Sequence, residues 1–207
     1  MVYLIDDVVS YTDIQYDAHF KEIPEWRKEK TLRFRKMEDR KLSVLTFVLL
    51  KHALFWEYGI TDVPEFSYGF FGKPYWKESD IYFNLSHCKD AVACALSDHE
   101  IGIDVESIVP YNPKVSKRIC SPSEYEHLIE SEDKDVDLIH LWTAKEAVSK
   151  WSGKGLALMF SEITLDNYLI DSRLSENGEC ICSICEGLKS QKQKLNEKVM
   201  TISVSSL

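Results

Sequence analysis

The chain has 207 residues, 44% of them hydrophobic and 29% charged, which is enough for one large domain or two small halves around a real core. Its net charge of −9 argues against a general nucleic-acid binder, and five Trp, nine Phe and ten Tyr argue against disorder. No apolar run approaches the roughly 20 residues of a membrane helix, and the opening MVYLIDDVVS lacks a basic region and a cleavage-like site, so a cytoplasmic protein is expected.

VYLI at 2–5 reads as a strand, and a helical pattern opens at Pro24, a residue suited to a first turn. Residues 27–41 hold eight Lys or Arg against three acids. A basic patch on an acidic chain suits a defined anionic ligand; a solvated helix face with i,i+4 pairs is the plainer alternative. Leu42, Leu45, Leu49, Ala53 and Trp56 recur at helical spacing as a core-facing stripe, and Gly59 closes that helix. FSYGFFGKPYW reads as a strand running into a Gly–Pro loop, followed by the short strands IYFNLSH, AVACALS and IGIDVE. Beyond the linker-like VPYNP, helical segments are expected near 114–131 and 135–151, broken by Gly153 and Gly155, then strands near 162–166, 180–185 and 199–204. Strand, helices, strands therefore occurs twice, which implies an α+β fold of two similar halves meeting near residues 100–110. The six Cys read as small strand residues, because CICSIC at 180–185 lacks the paired CxxC units of a metal knuckle.

Two stretches carry chemistry. In IGIDVES (101–107) the apolar residues alternate with Gly102, Asp104 and Glu106. Two carboxylates about 6.6 Å apart on one strand face repel unless they are solvated or bridged by a cation such as Mg²⁺. Gly102 leaves room beside them. In LIHLWTAKEAVSKWSGKG (138–155), Leu138, Leu141, Trp142 and Val148 form an apolar wedge with Lys145 in its middle. A lysine there must snorkel or find an anion. Glu146 and Lys150 lie together on the flank, either as a surface helix pair or as the third acid and a phosphate-binding base of a magnesium–diphosphate site.

IGIDVE followed some forty residues on by WTAKEAVSK resembles the two signature motifs of the Sfp-type 4′-phosphopantetheinyl transferases, GxDxE and W-[ST]-x-K-E-[AS]-x-x-K, at Gly102, Asp104, Glu106, Trp142, Thr143, Lys145, Glu146 and Lys150. FGKPYW resembles the family's G-K-P loop at Gly72, Lys73 and Pro74. FNLSH resembles its N-x-S-H strand end at Asn84, Ser86 and His87, and CSPSEYEHL its F-S-x-x-E segment at Ser121 and Glu124. Only the last 50 or so residues lack a motif.

The resemblance implies Mg-dependent transfer of the phosphopantetheine arm of coenzyme A to a serine of an acidic acyl or peptidyl carrier protein. It implies Asp104, Glu106 and Glu146 as ligands of Mg²⁺ (or Mn²⁺), and Lys145 and Lys150 on the phosphates. Arg27, Lys30, Ser43, Lys73, Pro74, Ser86 and His87 would contact coenzyme A. Glu124, or Glu146 through water, would act as the base. Here Leu42 stands where relatives often carry a basic residue before the hydroxyl matching Ser43. The family pattern further implies a monomer of two pseudo-twofold-related halves, 1–102 and 103–207, each an antiparallel sheet packed with helices, with the site at their interface and no nucleic-acid or membrane partner. Two other readings stay open: another Mg-dependent phosphotransfer enzyme or diphosphate hydrolase acting on coenzyme A, and a non-catalytic nucleotide-binding module.

Overall fold

The computed structural model describes residues 1–191 and 198–207. Strand β1 (Val2–Ile5) is buried at all four positions. Helices α1 (Asp13–Glu22), α2 (Glu25–Leu32) and α3 (Met37–Tyr58) follow. The sequence reading assigns no helix to α1, which buries only Tyr16 and so shows no apolar stripe. Its signal is the capping box between Thr12 and Gln15. Leu42, Leu45, Leu49 and Ala53 of α3 are in the core, but Trp56 is 68% exposed, because the last turn of α3 has left the core with Phe55 and Tyr58. Gly59 closes α3 at a φ of 68°.

The strand expected around FSYGFFGKPYW is a hairpin, β2 (Ser67–Tyr68) and β3 (Pro74–Tyr75). Strands β4 (Tyr82–His87), β5 (Val92–Ser97) and β6 (Gly102–Ser107) stand as expected. The 114–131 segment divides into α4 (Pro113–Ile119) and α5 (Pro122–Glu130), since Ser121 caps α5 with Pro122 in its first turn. Helix α6 (Lys134–Ser152) ends on Gly153. In place of a strand at 162–166 there are 3-10 turns at Phe160–Glu162 and Leu165–Asn167; β7 (Tyr168–Leu174) starts later, followed by β8 (Cys180–Leu188) and β9 (Val199–Thr201).

The strands make an α+β architecture with sheet orders β4-β5-β1-β9 and β6-β8-β7, plus the small hairpin. Both sheets are antiparallel except where β9 joins β1 in parallel. β1 alternates between two cores: Tyr3 and Ile5 pack under α3 with Phe47 and Leu50, while Val2 and Leu4 meet Ile103, Val105, Cys182 and Ile184 of the second sheet. Burial on both faces explains the unbroken apolar runs of β1 and β5. Ala93 and Ala95 supply the small side chains at the contact between sheets. All six Cys are buried free thiols.

Candidate active site

The two sheets meet where β4 lies beside β6. Asn84 Oδ1 accepts the Ile103 N–H (2.8 Å) and Ser86 Oγ accepts the Val105 N–H (3.2 Å). On the other side β6 is covered by α6. A Cβ on Gly102 would fall 2.1 Å from the Ala147 carbonyl oxygen and 2.4 Å from the Trp151 nitrogen. The room expected beside the acids is thus filled by helix backbone, and the glycine serves to bring α6 against the strand.

That contact sets Lys150 on Asp104, with Nζ 2.6 Å from Oδ1. Ser86 Oγ donates to the same oxygen (2.8 Å) and accepts from Lys150 Nζ (2.9 Å). Asp104 is 3% exposed, and its Oδ2 is buried with no hydrogen-bond partner among the described residues. Burial, and then the charge of Asp104, push the Glu106 carboxyl up to about 7. The Glu146 carboxyl is also raised, first by burial and then by Asp104, against the opposing pull of Lys150. Acids from β6 and α6 therefore share one electrostatic neighbourhood. Among the described residues no three His, Cys, Asp or Glu side chains close into a finished metal cage. An orphaned carboxylate oxygen on Asp104, beside two acids that its charge destabilises, is nonetheless a donor set of the chemistry that hard divalent cations take.

A second group of side chains is cationic. Arg27 is 5% exposed and donates to the Ser43 carbonyl (2.7 Å) and Ser43 Oγ (3.1 Å), while its buried Nε–H has no partner among the described residues. Its guanidinium stands 5.3 Å from the centroid of Phe47, and burial lowers its pKa to about 10. Lys30 reaches Tyr68 OH at 3.3 Å. His87, at the exposed end of β4, is held below the usual imidazole range by partial desolvation, then by Lys150 and Arg27, which places it within the field of both cations. Lys73 bonds Glu100 Oε2 (2.5 Å) and the carbonyls of Ile101 (3.1 Å) and Trp151 (3.2 Å), tying the loop before Pro74 to the start of β6 and the end of α6.

Lys145 stands apart from this group. It is wholly buried, and its ammonium donates to Ile119 O (2.8 Å), Phe160 O (2.9 Å) and Glu124 Oε2 (2.6 Å). The anion that its place in an apolar wedge demands is Glu124. The same Glu124 oxygen accepts the Ser121 N–H (2.7 Å) in the capping box of α5. Two residues of the cluster were given no role from the sequence. Thr31 bonds Ser43 Oγ at 3.2 Å, and Asn84 appears there only as a motif letter, although its i, i+2 relation to Ser86 puts both on one face of a strand.

A buried guanidinium with no acid partner among the described residues is thus connected to the three neighbouring carboxylates only through fields: Arg27 and Lys150 act on His87, and Lys150 and Asp104 act on Glu106 and Glu146. The family model of the 4′-phosphopantetheinyl transferase superfamily matches residues 100–196. A 4′-phosphopantetheinyl transferase of Bacillus subtilis is 34% identical over 166 residues, 78% of this chain and 70% of that relative. The transferase Sfp of Bacillus subtilis strain 168 is 35% identical over 159 residues, 74% of this chain and 67% of that protein. The transferase psf-1 of Bacillus pumilus is 34% identical over 151 residues, 71% of this chain and 62% of its own. The chain belongs to the 4′-phosphopantetheinyl transferase family.

Proposed function

We propose that the chain transfers the 4′-phosphopantetheine arm of coenzyme A to a serine of an apo acyl or peptidyl carrier protein and releases adenosine 3′,5′-bisphosphate. The observation that carries this reading is the bare, buried Oδ2 of Asp104 beside Glu106 and Glu146. These three would hold Mg²⁺, or Mn²⁺, which when bound neutralises diphosphate charge. Lys150, already at the edge of the trio, binds a diphosphate oxygen and holds the reacting phosphorus in place. Arg27 offers its free Nε–H, with Lys30, Ser43 and His87, to the 3′-phosphate. Lys73 and Pro74 border the nucleotide. Glu146, acting through a water, is the base that receives the proton of the attacking serine. Glu124 is disfavoured as base because its Oε2 already serves two donors, and Lys145 acts as its partner in holding α5 to α6.

The two halves, 1–102 and 103–207, are related by a pseudo-twofold axis in this reading, with coenzyme A across the seam. Its support is the matching strand order, β4-β5-β1 in the first sheet and β7-β8-β6 in the second, while β9 of the second half crosses over to join β1 in the first sheet. The second half includes residues 192–197, which lie outside the described residues. Lys114, Lys117 and Arg118 on α4 steer the acidic carrier toward the seam. The enzyme works as a cytoplasmic monomer. Among the described residues no helix is long and apolar enough to cross a membrane.

The test is incubation with coenzyme A and Mg²⁺, with and without an apo carrier, following adenosine 3′,5′-bisphosphate. Release that requires the carrier supports the proposal. Release without it would identify a diphosphate hydrolase, and binding without release a nucleotide-binding module.

A further inference from the structure

Strand β6 is an edge of its sheet, and so is β4 of the other. Outward N–H groups of a buried edge strand need acceptors that no neighbouring strand supplies. On β6 these are the amides of Ile103 and Val105, the residues on either side of Asp104, and both residues are fully buried. Asn84 takes the first at 2.8 Å and Ser86 the second at 3.2 Å. Asn84 and Ser86 are 4% and 6% exposed. The Ser86 hydroxyl is then fully used: it accepts from Val105 N–H and Lys150 Nζ and donates to Asp104 Oδ1. A hydroxyl has one donor and two lone pairs, so the side-chain contact to coenzyme A expected of Ser86 is replaced here by three protein partners, and none of its capacity is left for a ligand phosphate.

We propose that Asn84 and Ser86 are positioning residues. They clamp the β6 backbone on both sides of Asp104, fix the register of the seam, and hold Oδ1 on Ser86 and Lys150, which leaves the buried Oδ2 as the carboxylate oxygen without a partner among the described residues. Ser86 also holds Lys150 by its ammonium, so one hydroxyl sets the spacing of an acid and a base contributed by different elements. A one-residue slip of β6 would carry Asp104 to the opposite face. The inference rests on the cation-and-diphosphate reading for its purpose, and its geometry stands without it.

The experiment uses the full chain as wild type, Asn84→Ala, Ser86→Ala and Ser86→Thr. Amide hydrogen exchange at Ile103 and Val105 is read without added metal. Mn²⁺ affinity and adenosine 3′,5′-bisphosphate affinity are measured separately, and the unfolding midpoint is recorded for each variant. Ser86→Ala is expected to lower Val105 protection at least tenfold and to weaken Mn²⁺ at least tenfold, with nucleotide affinity changed less than twofold. Asn84→Ala does the same at Ile103, and Ser86→Thr restores Val105 protection and Mn²⁺ binding. The proposal is overturned if protection is unchanged, or if Ser86→Ala weakens the nucleotide while Mn²⁺ binds as before. A lower unfolding midpoint with unaltered Mn²⁺ affinity would also overturn it, as a merely structural role. Should wild type bind no Mn²⁺, the cation reading fails by itself, and the exchange data still decide the clamp.

Discussion

Replacing Gly102 by alanine is the sharpest single perturbation of this seam. The added Cβ would sit 2.1 Å from Ala147 O, 2.4 Å from Trp151 N and 2.9 Å from Trp151 Cα, all of them backbone atoms of α6 or its last turn. No rotamer change can relieve that contact, so α6 must back away from β6 by about 1 Å or more, an overpacking that costs about 1–3 kcal/mol and occasionally more. The same movement pulls Lys150 from Asp104 and separates Glu146 from the β6 acids. A displacement near 1 Å in a reacting constellation lowers rate by about a hundredfold. Gly102→Ala is therefore expected to lose about 3 kcal/mol of unfolding free energy in a urea titration and about a hundredfold in carrier modification, measured by mass spectrometry under conditions where the variant is folded. Gly69→Ala is the stability control, because its Cβ would meet only the Lys73 carbonyl oxygen at 3.7 Å. A Gly102→Ala protein as stable as the control and active within twofold of wild type would refute the role given to the close contact.

Other consequences can be measured alongside. Lys145→Met removes the partner of three acceptors and leaves Glu124 without its cation, so unfolding free energy should fall by about 3–5 kcal/mol, toward the lower end because Glu124 keeps some solvent; an unchanged midpoint would show the pair to be idle. Arg27→Ala should weaken adenosine 3′,5′-bisphosphate by about tenfold or more, the value of a charge-assisted hydrogen bond, and calorimetry showing equal affinity would remove Arg27 from the nucleotide site. The His87 pKa lies below its unfolded value of about 6.5, so the unfolded chain binds the proton first and the His87 contribution to stability is lost as pH falls through that value. The difference in unfolding free energy between wild type and His87→Asn should accordingly shrink from pH 7.5 toward about 5.5; a constant difference contradicts this. Mg²⁺ at a hundredfold excess over its dissociation constant should stabilise the wild type by about 2.7 kcal/mol in a thermal melt, and Asp104→Asn should abolish the shift.

Much of the fold was legible because periodicity and punctuation agree in this chain. The alternation of IGIDVES and the breaks at Gly59 and Gly153 locate β6, α3 and α6 closely. What the pattern does not carry is three-dimensional partnership. Lys145 in an apolar wedge signals a buried anion, yet nothing local distinguishes a ligand phosphate from Glu124, which lies 21 residues earlier. Gly102 signals close approach, but whether by ligand or by helix depends on how α6 docks. Asn84 is silent in isolation because its partner is a backbone amide on another sheet. Helix α1 lacks an apolar face to read, and the tail strand β9 is placed by pairing with β1 across almost the whole chain. The strand expected at 162–166 fails for a local reason, since successive 3-10 turns occupy that stretch before β7 begins.

The three acids of β6 and α6 must act together for carrier modification. The direct measurement is the intact mass of an apo carrier protein after incubation with the purified chain, coenzyme A and Mg²⁺, run beside Glu146→Gln with its circular dichroism checked. A gain of one phosphopantetheine with the wild-type chain and near-complete loss of that gain with a folded Glu146→Gln is the expected result, since the substitution removes charge stabilisation worth several kcal/mol. A folded Glu146→Gln that modifies the carrier at the wild-type rate would contradict it.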